Sequence, residues 1–205
     1  MNASKEISDV RRRVFLAYHQ DGILDLVAGS VVLGFGLNML TDNIVFLMIG
    51  WLAMMLYVLI KQRITIPRFG YVRFESEKKT VKKAWISVGI GVLLVLFFLT
   101  LNIYLSRKPT SPELEAWIQR YHMVPLSTML FGLPALGAAL FLGLKRFYLY
   151  ALLAAGLPLL GAWLNIETYI PIVTTGLVVL AFGAVLLANF LKKYPLSTES
   201  EDANG

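Results

Sequence analysis

Six uninterrupted apolar runs, at 23–40, 43–60, 84–105, 123–144, 147–164 and 169–191, take up most of this 205-residue chain. Each holds 18 to 23 residues, and at ~1.5 Å of rise per helical residue each crosses a hydrocarbon core of ~30 Å. One ionisable side chain, Asp25, lies inside them. A backbone in lipid has no water to bond to, so runs of this length must satisfy their amides internally, as helices. The expected fold is all-α, a polytopic membrane bundle of six transmembrane helices. Composition agrees, with 57% of residues hydrophobic and 16% charged, where soluble domains run near ~25% charged. Residues 23–191 form the membrane domain, preceded by a segment 1–22 and followed by a short tail, 192–205, whose part 196–205 is acidic.

Orientation follows from the basic residues. Sixteen of the 19 Lys and Arg fall on alternate flanks: the N-terminal segment, the 61–83 loop, the 145–146 turn and the C-terminal tail. The other flanks share three, Arg107, Lys108 and Arg120. Positive charge resists export, so the rich side is cytoplasmic and both termini lie there, in a cell-membrane protein. Glu6, Asp9 and Asp21 dilute the basic start, and no small-x-small site follows the first run, so a cleaved signal peptide is not expected.

The polar segments carry their own signals. Ile7, Val10, Val14 and Tyr18 recur at helical spacing beside Arg11, Arg12 and Arg13, which predicts an interfacial amphipathic helix on the inner leaflet. In the 61–83 loop, Ile64-Thr65-Ile66 and Tyr71-Val72-Arg73-Phe74 flank Pro67-Arg68-Phe69-Gly70, the pattern of a small β-hairpin. Ser111-Pro112-Glu113 reads as a capped helix start, and Leu114, Trp117, Ile118 and Tyr121 form one stripe, as in a surface-lying aromatic anchor. Small residues four apart, such as Ser30 and Gly34 or Ala135 and Ala139, predict close helix contacts. Pro134 and Pro158 predict kinks.

Catalytic chemistry finds little footing. The absence of cysteine excludes thiolate nucleophiles and Cys-type metal sites. His19 and His122 flank opposite ends of the bundle and read as interfacial anchors rather than partners in a metal or haem site. Asp21 and Asp25, one helical turn apart, are the sole metal candidates. The preferred reading is structural: Asp21 caps the first helix, and Asp25 meets the helix dipole or a base from the 61–83 loop. Their Asp-Gly pair resembles that of CDP-alcohol phosphotransferases, but that motif needs two further aspartates and an Ala-Arg pair, and none follow Asp25. No rhomboid-like or zinc-protease motif is present, and no cofactor is expected.

Two groups of residues remain as candidate sites. Asn38, Thr100, Asn102, Ser127, Thr128, Thr174 and Thr175 all map toward the outer ends of helices one, three, four and six. They either line a polar vestibule for a small solute or serve packing, with hydroxyls taking up carbonyls that Pro125 and Pro171 free. Arg11, Arg12, Arg13, Arg63, Arg68, Arg73, Lys78, Lys79, Lys82 and Lys83 make a basic inner face. A loop tethered to the inner leaflet suits anionic lipid first and a membrane or cytoplasmic protein partner second, and not nucleic acid.

The stretch Lys61-Gln62-Arg63-Ile64-Thr65-Ile66-Pro67-Arg68-Phe69-Gly70-Tyr71-Val72-Arg73-Phe74 resembles a loop in uncharacterised bacterial six-helix membrane proteins. Those proteins also begin the first helix much as Asp21-Gly22-Ile23-Leu24-Asp25 does here. The resemblance covers the first half of the chain; it implies a bacterial cytoplasmic-membrane protein and imports no activity. Size and helix number are also similar to substrate-binding subunits of vitamin transporters, although the turn after helix one is far shorter here. The function expected is therefore a non-enzymatic membrane subunit or scaffold, with a small-solute binder or transporter as the alternative.

Overall fold

The computed structural model describes residues 18–69, 93, 96, 97, 100 and 111–195. Among these residues the fold is wholly helical. Helix α1 spans Ile23–Thr41, α2 Val45–Ile64 and a single turn, α3, Ile66–Phe69. Further along come α4 (Pro112–Tyr121), α5 (Met123–Ser127), a π turn (Thr128–Gly132) and α6 (Leu133–Leu142). Two long helices, α7 (Arg146–Trp163) and α8 (Tyr169–Lys193), complete the order. Five stretches are long and apolar enough to cross a membrane: α1, Val45–Arg68, the 30-residue Pro112–Phe141, α7 and α8.

Exposure is inverted relative to a water-soluble bundle. Met55 is 78% exposed and Trp51 66%, while Asp21 and Asp25 are 0% exposed. Large apolar side chains face outward, as they do when the surrounding medium is lipid, and small residues line the contacts between helices.

The most extensive contact joins α1 to α8, which run antiparallel. A methyl group added at Gly29 would lie 2.7 Å from the Leu180 amide nitrogen, and one at Gly176 would lie 2.6 Å from that of Leu33. Gly36 meets Val173 and Gly183 meets Leu26 in the same way. Glycines spaced seven apart on both helices thus interlock in reverse order, and backbone lies against backbone. On the other side of α1, Gly34 abuts the Phe46 carbonyl and Gly50 packs on Val31 beside the Ser30 carbonyl. The predicted Ser30/Gly34 contact is therefore the α1–α2 interface. Ala139, Leu144, Phe147, Tyr150 and Val179 form the apolar core, with Ala135, Leu24 and Ala28 packed against them.

Several local expectations change. Helix α2 runs to Ile64 rather than ending at residue 60, because Lys61 is buried within it and paired. The expected first hairpin strand, Ile64-Thr65-Ile66, is helical: the Thr65 amide donates to the Lys61 carbonyl at 2.9 Å, and the chain turns on into α3. Pro67 fits that first turn because it has no amide to satisfy there. The return strand 71–74 and the amphipathic stripe of 1–17 lie outside the described residues, as does the third run apart from Leu93, Leu96, Phe97 and Thr100.

Helix α4 begins as predicted, with the Ser111 hydroxyl accepting from the Leu114 amide and Pro112 next to the cap. It does not stop as a separate surface helix. His122 keeps helical angles, its amide bonds the Ile118 carbonyl at 2.9 Å, and the helix continues into α5. Pro134 is absorbed by the π turn just before it, where the Leu133 amide reaches back five residues to the Thr128 carbonyl. That longer loop relieves the clash between a proline ring and the carbonyl one turn earlier.

Candidate functional site: a buried charge cluster

The ends of α1, α2, α7 and α8 meet at one end of the bundle. Gly22 has φ +76°, a left-handed conformation that glycine adopts without strain, and an added methyl there would strike the Gly183 carbonyl. This turn sends Asp21 back over the start of α1, where its Oδ1 accepts from the Ile23 amide at 3.2 Å. Its Oδ2 accepts from the Thr65 hydroxyl at 2.7 Å and pairs with Lys61 at 3.4 Å. Lys61 also donates to the Tyr57 hydroxyl at 3.2 Å and lies 4.0 Å above the Tyr18 ring. A buried ammonium thus exchanges its hydration for a carboxylate, a phenol and an aromatic face.

One turn along α1, Asp25 faces a different helix. Its Oδ2 accepts from Arg146 Nη2 at 2.6 Å, and its Oδ1 from the Tyr150 hydroxyl at 2.8 Å. Arg146 and Tyr150 lie four apart on α7, one above the other, so a single face of α7 supplies both donors. The same Nη2 donates to the His19 carbonyl at 2.7 Å. Two carboxylates and two cations are matched one to one, and each acid carries a hydroxyl donor as well.

The two carboxylates face different helices. Asp21 turns toward α2 and Asp25 toward α7, each held by its own cation. Among the described residues, no three His, Asp or Glu side chains gather as metal ligands. Asp21 covers the first amide of α1, as expected of a residue at the helix start, but the base from the 61–83 stretch, Lys61, meets Asp21 rather than Asp25. Asp25 differs, since its partner is Arg146 from the 145–146 turn, and sequence reasoning assigned that residue no role. Arg146 directly precedes an apolar run and stands at the same end as Asp25, and that was the available signal.

Among the described vestibule candidates, the hydroxyls of Thr100, Ser127, Thr128 and Thr175 bond to backbone carbonyls. Ser127 is buried and donates to the Val124 carbonyl at 3.1 Å and to the Ala154 carbonyl of α7 at 3.0 Å. Thr128 donates to the Val124 carbonyl, Thr175 to the Pro171 carbonyl and Thr100 to the Leu96 carbonyl, all within their own helices. These are ordinary carbonyls about one turn back, not those that Pro125 and Pro171 free. Thr174 points outward while Thr175 is buried, Asn38 is half-buried, and Asn102 lies outside the described residues. A cleft of about 400 Å³ at that end is lined instead by Gln119, Arg120, Asn165 and Glu167, among others. There Arg120 donates to the carbonyls of Ala162 and Trp163 at 2.6 and 2.7 Å, closing the end of α7.

Of the basic-face candidates, Arg63 is exposed, and Arg68 Nη1 donates to the Ile64 carbonyl at 2.9 Å. Arg11, Arg12, Arg13, Arg73, Lys78, Lys79, Lys82 and Lys83 lie outside the described residues.

Apolar helices of membrane length, inverted exposure and a charge cluster confined to one end together define a helical integral membrane protein. No family model, curated protein or solved structure matches the chain.

Proposed function

We propose that this protein is a non-enzymatic membrane subunit or scaffold whose basic end faces the cytoplasm and engages anionic lipid and a protein partner. One observation carries the reading. Both described acids at the basic end are buried and paired, while Arg63, Lys145, Lys192 and Lys193 stand exposed around them. The rim that meets headgroups is therefore positive without an exposed acid among the described residues. The opposite end exposes Asp42, Glu113, Glu115 and Glu167 against Arg120. That asymmetry suits an inner leaflet rich in anionic lipid.

A six-crossing topology belongs to the same proposal, and parity supports it. Lys61 and Arg146 reach the same carboxylate pair at one end, so the chain between them crosses an even number of times. Pro112–Phe141 is long and apolar enough for one crossing, and the apolar run 84–105 has the length for the other. The solute-binding alternative draws less support, because the hydroxyls of Ser127, Thr128 and Thr175 are spent on backbone carbonyls.

Single cysteines test the orientation, in a chain that has none of its own. Cysteine at Arg63 or Lys145 should react with a membrane-impermeant maleimide only after the inner face is opened; cysteine at Glu113 or Asn165 should react in intact cells. The opposite pattern overturns the reading. For lipid engagement, phosphatidylglycerol in nanodiscs should stabilise the full chain over phosphatidylcholine alone, and reversing Arg63 and Lys145 to Glu should weaken that gain. Equal stability in both lipids rejects it.

A further inference from the structure

A second cleft, of about 280 Å³, opens at the basic end between the start of α7 and the end of α8. Gln20, Arg146, Asn189, Lys193 and Tyr194 supply its polar groups, and Phe190 part of its apolar wall. Arg146 is already oriented by Asp25 and the His19 carbonyl, and 21% of its side chain remains exposed. A guanidinium held in place with part of its five-donor fork still accessible can meet a further acceptor. Lys193 forms no ion pair with any described acid. Two cations against the single carboxylate of Asp25 leave the cleft with one positive charge, which matches the one negative charge of a phosphodiester. The carboxamides of Gln20 and Asn189 add donors and acceptors suited to the free hydroxyls of a polyol esterified to that phosphate.

We infer that this cleft binds a phosphate ester, with Arg146 and Lys193 on the phosphate and Gln20 and Asn189 on adjoining hydroxyls. A glycerophospholipid headgroup and a free glycerol phosphate share that chemistry. The apolar wall at Phe190, near the end of a helix long and apolar enough to cross a membrane, favours the headgroup. The inference rests on the proposed basic face but is narrower. It asks for one built site rather than a diffuse positive rim.

The test uses the full-length chain in detergent, titrated with phosphatidylglycerol or phosphatidylcholine and followed by native mass spectrometry. Lys193→Gln should weaken phosphatidylglycerol retention about tenfold, the factor expected for loss of one charge-assisted hydrogen bond. Lys192→Gln, one residue away and outside the cleft lining, should weaken it far less. Gln20→Leu, which leaves charge untouched, should reduce preference for a glycerol headgroup over an ethanolamine one. Equal losses at Lys192 and Lys193 overturn the cleft while leaving the rim reading intact, and no preference for phosphatidylglycerol over phosphatidylcholine overturns both. Competition with sn-glycerol 3-phosphate separates the sources. Displacement of lipid at matched concentration assigns the site to the soluble ester, and persistence of bound lipid assigns it to the headgroup.

Discussion

Asp25 Oδ2 lies 2.6 Å from Arg146 Nη2, although 121 residues separate them in the chain. The pair fastens α1 to α7, and Asp21 with Lys61 fastens the same end of α1 to α2. Lost singly, a member of such a buried pair strands the other's charge.

Asp25→Ala and Arg146→Met should each lower unfolding stability by about 3–5 kcal/mol. The double replacement Asp25→Leu with Arg146→Met should recover much of that loss, because no unpaired charge remains. Thermal unfolding in detergent checks this. Additive losses in the double variant would mean that the two residues do not act on each other.

The glycine register between α1 and α8 makes a sharper contrast. Gly29→Val places side-chain atoms against the Leu180 backbone and should cost about 1–3 kcal/mol or force the helices apart. Gly156 has nothing within 4 Å of an added methyl group, so Gly156→Ala should be neutral or slightly stabilising. If both variants unfold alike, the close α1–α8 approach is wrong.

Two hydroxyls in different settings give a third comparison. Ser127→Ala removes a bond that crosses from α5 to the Ala154 carbonyl of α7 and should cost about 1 kcal/mol. Thr174→Val changes an outward-facing side chain and should alter stability by less than about 0.5 kcal/mol. A larger effect at Thr174 than at Ser127 would restore the idea of a polar vestibule.

How far these contacts could be read in advance depends on what each one requires. Helix existence needs only an apolar run of sufficient length, so α1, α2, α7 and α8 fall within a few residues of expectation. Ends that depend on pairing were harder. Lys61 reads as a loop residue by polarity, and only its partner Asp21 explains why α2 carries it inside. Ile64-Thr65-Ile66 has strand propensity, but the preceding helix continues through it, and local preference yields to that continuation. Small residues at four-residue spacing marked the α1–α2 contact. The seven-residue spacing of Gly29 with Gly36 and of Gly176 with Gly183 was equally visible, yet its meaning depends on knowing that α1 and α8 are neighbours. Arg146 is the same case, because a one-dimensional pattern does not say which turn lies beside Asp25.

Arg120 supplies a fourth prediction. Its guanidinium covers the carbonyls of Ala162 and Trp163 at the end of α7, so Arg120→Ala should loosen that end without unfolding the bundle. Hydrogen exchange should quicken around residues 162–168 and stay unchanged at Asp25 and Arg146. Uniform acceleration would mean that the contact supports the whole fold instead.

The distance in sequence between Asp25 and Arg146 also sets an order of events during biogenesis. At ~5–20 residues per second, translation delivers Arg146 roughly 6–24 s after Asp25. Throughout that interval the first helix carries a carboxylate whose partner has not yet been synthesised. The fastening of α1 to α7 at that end of the bundle therefore waits on the synthesis of α7.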